Sequence, residues 1–207
     1  MKKIKTYWIL FAMMLLVSSC SKAQEASTEK DNSLNDKSIL IVYLSRTNNT
    51  KAVAEIIHKN IGGKLVALEL KNPYPVDYKT IVAQVQKENE TGFLPSLKTK
   101  IDSIENYDVI FIGFPTWGMQ LPPPMKSFLN QYNLKGKTII PFNTNAGYGV
   151  GSSFETVKTI SSESTVLEGF AVEGGKERDG ILFVMKGEKE IQVEREVRRW
   201  LEKIKML

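Results

Sequence analysis

The sequence predicts an α/β fold, in which a parallel β-sheet is covered by helices on both faces. Short apolar runs alternate with amphipathic segments along most of the chain. The apolar runs are continuous rather than interrupted at every second residue, which is typical of strands buried on both faces. Strands are predicted at 39–44, 65–70, 108–113, 138–143 and 165–172. Helices are predicted at 50–61, 122–132, 152–161 and 188–205.

The first and last helices have the clearest sequence patterns. In the first, Val53, Ile57 and Ile61 recur on one face, directly after the apolar run 39–44. In the last helix, one face carries Val193, Val197, Trp200, Leu201 and Ile204. Each pattern predicts a helix that packs one side against the sheet and exposes the other.

Two segments depart from the simple alternation. Segment 71–106 starts with prolines and tyrosines and continues with apolar residues at helical spacing, which predicts one or two helices in an enlarged crossover. In segment 174–187, a charged half precedes the apolar run 181–185. This run is expected to extend the last strand or to form a short extra strand.

The beginning of the chain, residues 1–19, is predicted to be a lipoprotein signal peptide. Lysines precede an apolar stretch, Tyr7–Val17, which is too short to span a bilayer as a helix. The following residues, up to Cys20, resemble a bacterial lipobox, with Cys20 as the lipidated residue. An ordinary secretory signal with an unrelated cysteine is the alternative. The expected location is the bacterial cell envelope, outside the cytoplasm, with the lipid as the only membrane anchor.

The rest of the chain is predicted to contain a tether and one domain. Residues 20–38 are expected to be a flexible tether, because after the cysteine they are polar and lack aromatic residues. Residues 39–207 suit one domain with a sizeable core. Loss of residues 1–19 removes three lysines and no acid, so the net charge falls from +5 to +2. No basic stripe with interleaved aromatic residues is present, so nucleic-acid binding is not expected. The oligomeric state is left open.

The most informative stretch follows the first predicted strand and reads Ser45-Arg46-Thr47-Asn48-Asn49-Thr50. A turn there directs backbone N–H groups and the positive end of a helix toward one point, and its side chains add further donors. A phosphate group is the natural ligand of such a turn. The pattern GxxxxGK[ST] is absent, which argues against a nucleotide triphosphate loop. An ordinary capped helix is the alternative, since Ser, Thr and Asn are common N-cap residues.

Two further loops with unusual composition follow predicted strands. The second loop reads Phe114-Pro115-Thr116-Trp117-Gly118-Met119. The third loop reads Asn143-Thr144-Asn145-Ala146-Gly147-Tyr148-Gly149. Trp117 offers a flat surface on which a planar ring can stack, although it could also simply cover a neighbouring loop. In open α/β sheets, ligands bind beyond the carboxyl ends of the strands, where these loops are expected to meet.

These three loops, in this order on a five-stranded alternation, resemble those of flavodoxins. The resemblance extends over residues 39–207 and includes the sequence Lys-Thr-Ile-Ile-Pro-Phe at 137–142. It implies a flavodoxin-like, three-layer, doubly wound, five-stranded parallel sheet with strand order 2-1-3-4-5. It also implies FMN as the cofactor, and either an electron-transfer flavoprotein or an FMN-dependent oxidoreductase.

The resemblance assigns site residues one by one. The FMN phosphate would be held by a loop made of Ser45, Arg46, Thr47, Asn48, Asn49 and Thr50. Within a loop made of Pro115, Thr116, Trp117 and Gly118, Trp117 would stack on the flavin ring, and the Gly118 peptide can form a hydrogen bond to the flavin. The pyrimidine edge of the ring would contact Thr144, Asn145, Ala146, Gly147, Tyr148 and Gly149. Arg46 and Lys51 could add charge near the phosphate, but both are expected to face solvent.

The sequence leaves three functions open. Electron carriers of the flavodoxin family are usually acidic and often have acids after the Trp-Gly pair, where this chain has Met119 and Gln120. The leading function is electron transfer by a membrane-tethered FMN protein, with a redox partner protein or a small-molecule acceptor. The first alternative is an FMN-dependent NAD(P)H reductase of quinones or other small acceptors. The second is a flavin-free binding module.

The remaining polar groups are weaker candidates for chemistry. His58, the only histidine, is predicted at the surface of the first helix. The serines at 152–153, with Glu155, are predicted to cap a helix rather than to supply a nucleophile. Asp77 and Tyr78 are weak candidates for lining a substrate pocket. No cluster has the spacing of metal ligands, so no metal site is predicted. No catalytic residue is assigned either.

Replacement of Cys20 by Ser should block lipid attachment, because Cys20 is the only cysteine in the chain. We expect the variant to keep its unprocessed mass and to incorporate no labelled fatty acid in a bacterial host. Ser27→Ala, in the predicted tether, is the matched control and should be processed and labelled normally. Normal processing and labelling of Cys20→Ser would contradict the lipobox interpretation.

Overall fold

The computed structural model of the protein describes residues 37–207, in which strands and helices alternate. The strands are β1 (Ile39–Tyr43), β2 (Lys64–Ala67), β3 (Val109–Pro115), β4 (Thr138–Asn145), β5 (Thr165–Val166) and β6 (Phe170–Glu173). The α-helices are α1 (Asn49–Ile61), α2 (Tyr78–Thr91), α3 (Pro123–Gln131), α4 (Ser153–Ile160) and α5 (Glu188–Lys203). The predicted signal peptide, Cys20 and nearly all of the tether lie outside the described residues. Within residues 37–207, no helix has the length and apolar content needed to cross a membrane.

The strands form one sheet in which every pair is parallel. The order is β2-β1-β3-β4, and both β5 and β6 then pair with β4. Because β5 and β6 occupy the same outer position, the sheet has five strand positions in the order 2-1-3-4-5. The predicted fold class and strand order are therefore confirmed.

The outermost strand position is interrupted, so the prediction of one continuous strand at 165–172 is wrong in its middle. β5 pairs with Thr138 and Ile139, and β6 pairs with β4 from Phe142 onward. Between these two registers lies Pro141, which has no N–H group to donate to a sheet ladder. The interruption thus faces the one residue of β4 that cannot contribute a full set of hydrogen bonds.

Two apolar clusters lie on opposite faces of the sheet, because successive strand residues point to opposite sides. Along β1, Ile41 and Tyr43 belong to the cluster that includes α1 and α5. Leu40 and Val42 belong to the cluster that includes α3 and α4. The continuous apolar runs of the sequence are explained by this burial on both faces.

The enlarged crossover 71–106 contains one α-helix, α2, which begins after Asp77. The Asp77 carboxylate accepts a hydrogen bond from the backbone N–H of Thr80 (2.8 Å), which caps the helix. After α2, Leu97 forms an isolated bridge with Leu70, and a single 3₁₀ turn precedes β3. The prediction of one or two helices in this segment is confirmed with one α-helix.

The apolar run 181–185 forms neither an extension of the last strand nor an extra strand, so both expectations are wrong. Its backbone instead passes the start of α1. The Asn49 side chain there donates to the Leu182 carbonyl (2.6 Å) and accepts from the Val184 N–H (3.0 Å). A side-chain amide thus replaces a neighbouring strand as the partner of this backbone.

The packing of Phe142 against Gly113 joins β4 to β3 in the core. The two residues are register partners, and the Phe142 side chain is fully buried. A Cβ atom at Gly113 would lie 2.1 Å from Cζ of Phe142. The aromatic ring therefore lies across the glycine, in space that any side chain would fill.

Gly113→Ala should destabilise the domain by about 1–3 kcal/mol, because the added methyl overpacks a filled core. In Gly113→Ala/Phe142→Leu, the smaller partner leaves room for the methyl, so the loss should be less than the sum of the two single losses. Urea unfolding of the four proteins measures both effects. Additive losses would show that Phe142 does not occupy the space above Gly113.

Candidate functional site

The three loops predicted to bind a ligand meet at the carboxyl ends of β1, β3 and β4. They border a cavity of about 660 Å³. Of the predicted site residues, those that line it are Arg46, Thr47, Asn49, Thr50, Pro115, Thr116, Trp117, Gly118, Thr144, Asn145, Ala146, Tyr148 and Gly149. Those outside the lining are Ser45, Asn48 and Gly147. A volume of this size is typical of cofactor and small-molecule sites.

The first loop presents unpaired backbone donors at the start of α1. Asn48, at the N-cap position, has a left-handed conformation (φ 63°), and its side chain makes no capping hydrogen bond. Within residues 37–207, the backbone N–H groups of residues 46–50 donate no hydrogen bond to a protein acceptor. The Ser45 hydroxyl does accept a hydrogen bond from the first-turn N–H of Lys51 (3.2 Å), so one donor of the helix start is capped by a side chain, whereas those of residues 46–50 are not. Free N–H groups at a helix N-terminus suit an anion.

The side chains of Asn49 and Thr50 form hydrogen bonds that connect parts of the site beneath the cavity. Both are buried, with 3% and 1% of their surface exposed. The hydroxyls of Thr50 and Thr144 form a hydrogen bond of 2.8 Å, which joins the first loop to the third. Asn49 also donates to the hydroxyl oxygen of Thr47 (2.8 Å), so the proton of that hydroxyl remains available to a ligand.

Arg46 in the first loop and Lys51 directly after it differ in solvent exposure. Lys51 is largely exposed and lies 3.7 Å from Glu55, as expected for a solvent-facing residue. The same expectation is wrong for Arg46, whose side chain is only 21% exposed. Its Nε donates to Glu177 (2.7 Å), and its terminal nitrogens donate to the carbonyls of Pro75 (3.0 Å) and Val76. Arg46 thus links the first loop to the crossover and to the segment before α5.

The second loop contains a tight turn next to Trp117. Gly118 and Met119 both have positive φ values (57° and 59°), as in a type I′ turn. The backbone groups of Trp117 and Gln120 exchange two hydrogen bonds of 3.3 and 3.1 Å across the turn. A left-handed conformation is uncommon for a residue with a side chain such as Met119, and such strain is concentrated at functional sites.

The tight turn is fixed from the other side by the beginning of α4. The backbone N–H of Ser152 donates to the Met119 carbonyl (3.0 Å), and the Ser152 hydroxyl also points to it (3.4 Å). Ser152 occupies the N-cap position of α4 but makes no side-chain capping bond. The prediction that Ser152 caps this helix through its side chain is therefore wrong, because its hydroxyl is directed to the second loop.

Trp117 is half-buried at the edge of the cavity, in contact with Tyr74 of the crossover. The two ring centroids are 5.4 Å apart, and the ring planes are nearly perpendicular (86°). In a perpendicular pair, Tyr74 covers at most one face of the indole. At least one face of Trp117 is therefore free of this contact, and the residue lines the cavity.

The third loop is shaped by its own polar side chains. The Asn145 side-chain oxygen accepts hydrogen bonds from the N–H groups of Gly147 (2.9 Å) and Gly149 (3.1 Å). The Thr116 hydroxyl donates to the Gly149 carbonyl (3.1 Å), which joins the second and third loops. Tyr148 is 64% exposed, so its ring is free to contact a ligand at the cavity rim.

Sequence reasoning missed most of one cavity wall, which is formed by α2. The lining residues of this helix are Tyr78, Ile81, Val82, Val85, Gln86, Asn89 and Glu90. Their spacing of three and four residues places them on one helix face. That spacing was visible in the sequence, but it is equally typical of a face packed on a core. Segment 174–179 also lines the cavity, whereas Asp77 only caps α2.

His58, the other candidate side chain, lies outside the cavity. His58 is exposed on α1, and its ring nitrogen is 3.2 Å from the Gly62 carbonyl. In the part of the chain that the structure describes, no group of His, Cys, Asp and Glu side chains is arranged to hold a metal ion.

Comparisons with known proteins agree with the fold. A protein of Bacteroides eggerthii assigned as a flavoprotein is 28% identical, with a TM-score of 0.66, over 82% of this chain and 98% of that one. A flavoprotein of Lactobacillus acidophilus, solved in complex with FMN, is 25% identical, with a TM-score of 0.59, over 70% of this chain and 98% of that one. No curated protein sequence matches the chain significantly. The family model described as flavodoxin matches residues 38–185, and the chain therefore belongs to the flavodoxin family.

Proposed function

We propose that the protein is an FMN-binding flavoprotein that transfers electrons. The observation that carries this proposal is the row of free backbone N–H groups at residues 46–50, in the same cavity as Trp117. One ligand that joins a phosphate to a planar ring would match both features. The Lactobacillus relative with FMN supports this choice of ligand.

The residues present fit the three parts of FMN. The N–H groups at the start of α1 and the Thr47 hydroxyl would hold the phosphate, where donors and the helix dipole favour negative charge. Trp117 would hold the flavin ring, and the glycine-containing third loop lets the ring edge approach the backbone. When bound, FMN supplies the redox chemistry, and the protein supplies position and electrostatic environment.

The network of polar side chains beneath the cavity would keep these parts in register. Thr50 and Thr144 join the first and third loops, and Thr116 joins the second and third. Such a pre-formed site loses little conformational freedom when a ligand binds, which favours affinity. Burial of Thr50 and Thr144 also keeps water away from the bonds that set the loop positions.

A second candidate function is FMN-dependent reduction of quinones or other small acceptors with NAD(P)H. The observation that favours it is the α2 wall, where Val82 (46% exposed) and Tyr78 (37% exposed) face the same cavity. This wall offers apolar surface to a small organic molecule beside the Trp117 loop. In the first function, by contrast, the protein passes electrons on to a redox partner protein or a small-molecule acceptor.

The proposed location is the bacterial cell envelope, with the domain held outside the cytoplasm by lipid on Cys20. This part of the proposal rests on the sequence of residues 1–20 alone. In such an arrangement FMN would be acquired after export, because lipoproteins of this kind cross the membrane unfolded.

Thr47→Val should weaken FMN binding by roughly ten- to a hundredfold, because a hydrogen bond to a charged group contributes about 1.5–3 kcal/mol. Riboflavin, which lacks the phosphate, should bind both proteins equally. Calorimetry with both ligands measures the difference. The matched control is Thr159→Val on the exposed side of α4, which should bind FMN like the parent. Equal losses for FMN and riboflavin would contradict the assignment of the phosphate to this loop.

Purified full-length protein should keep the visible flavin absorption band after FMN is added and unbound FMN is removed by gel filtration, and Trp117 should quench the flavin fluorescence. Trp117→Ala should weaken FMN by about one to two powers of ten, because stacking on an aromatic residue contributes roughly 1–3 kcal/mol. Trp117→Phe, which keeps an aromatic ring, should lose less. Absence of a flavin band would favour the flavin-free binding module. NAD(P)H oxidation with and without a quinone then separates the two redox functions.

A further inference from the structure

A buried carboxyl group on α2 has no role in the proposed function. Glu88 is only 6% exposed, and within residues 37–207 it forms no ion pair. One of its oxygens accepts a hydrogen bond from the Tyr74 hydroxyl, and the other accepts one from the Gln84 amide (2.8 Å). Burial of such a group is unfavourable unless hydrogen bonds compensate it, so the two bonds hold Tyr74 and Glu88 firmly together.

Tyr74 is held in a single orientation by this pairing and by its neighbour in the chain. Burial, together with the Glu88 carboxylate, raises the pKa of the Tyr74 hydroxyl well above its usual range, so the hydroxyl stays a donor. The next residue, Pro75, accepts a hydrogen bond from Arg46 through its carbonyl (3.0 Å). The Tyr74 hydroxyl is thus held by Glu88 of α2, and the backbone next to Tyr74 is held by Arg46 of the first loop.

The fixed ring of Tyr74 contacts only one residue of the cavity by aromatic packing, which is Trp117. Their centroids are 5.4 Å apart at 86°, the perpendicular geometry that aromatic pairs prefer. Trp117 lines the cavity, whereas Tyr74, Gln84 and Glu88 do not. The aromatic contact with Trp117 is therefore the direct side-chain route from this pair to the cavity.

We propose that Tyr74 and Glu88 are positioning residues, which hold the Trp117 indole at the angle required to stack on the bound cofactor. The proposal rests on the proposed FMN binding. It gives the enlarged crossover a function, since Tyr74 and Glu88 both lie within it. Trp117 itself follows β3 and precedes a strained two-residue turn, so its backbone alone leaves the rotation of its side chain undetermined.

The pair also accounts for the presence of a buried carboxyl group at position 88. An apolar residue there would leave the Tyr74 hydroxyl without its acceptor, and the ring would move to find another. Tyr74→Phe keeps the ring edge against Trp117 and removes only the hydroxyl. It should therefore retain more of the effect on Trp117 than Tyr74→Leu, which removes the ring.

The test measures FMN dissociation constants, flavin fluorescence and visible circular dichroism of the full-length protein. Tyr74→Leu should weaken FMN by about 2- to 10-fold, as expected for one perpendicular aromatic contact, and should partly restore fluorescence. In a Trp117→Ala background, Tyr74→Leu should cause no further loss of affinity. Tyr132→Leu is the matched control, because Tyr132 also pairs with an aromatic ring and a backbone donor but lies outside the cavity.

A second arm needs no flavin and separates this inference from the proposed function. In protein labelled with fluorotryptophan, the Trp117 fluorine signal should shift or broaden in Tyr74→Leu and in Glu88→Leu, and should be unchanged in Tyr132→Leu. An unchanged signal would overturn the positioning role, as would a Tyr74→Leu effect on affinity that persists in full without Trp117. Failure of the parent protein to bind FMN would contradict the proposed function, and the Tyr74–Glu88 pair would then have no cofactor to serve. The fluorine signal would still report whether Tyr74 fixes the indole.

Discussion

The parallel pairing of β1, β3 and β4 is the constraint on which the candidate site depends. Parallel strands bring their carboxyl ends to one edge of a sheet, so loops far apart in the sequence become neighbours there. The hydrogen bond between Thr50 and Thr144 spans 94 residues of chain and forms only because β1 and β4 flank β3 in the same direction. The core beneath the loops, with its fully buried strand residues, keeps that geometry fixed.

The proposed ligand contacts rely more on backbone than on side-chain charge. Arg46, the residue that would most simply attract a phosphate, is engaged by Glu177 and by two carbonyls of the crossover. The free N–H groups at the start of α1 remain, and they provide a positive field without a mobile cation. This division assigns the binding of an anion to the loop backbone and the arrangement of the cavity walls to Arg46.

Sequence patterns were sufficient for the four inner and edge strands β1 to β4 and for the three loops that meet at one edge of the sheet, because both depend on local patterns. Continuous apolar runs identify strands buried on both faces, and loop composition after each run identifies the ligand-binding edge. The orientation of Arg46 could not be predicted, since its partner Glu177 is 131 residues away. The contact between Tyr74 and Trp117 could not be predicted either, because these two residues are also far apart in the sequence. In each case the deciding interaction joins two segments whose proximity follows only from the finished fold.

The break between β5 and β6, opposite Pro141 of β4, also affects how the protein interacts with other copies of itself. Long, regular edge strands act as templates on which further chains add by hydrogen bonding, and this leads to aggregation. Here one edge consists of a two-residue and a four-residue strand with a break between them, and the other edge, β2, is four residues long and begins with Lys64. Neither edge offers a continuous ladder, so growth of intermolecular sheet from the native domain is disfavoured.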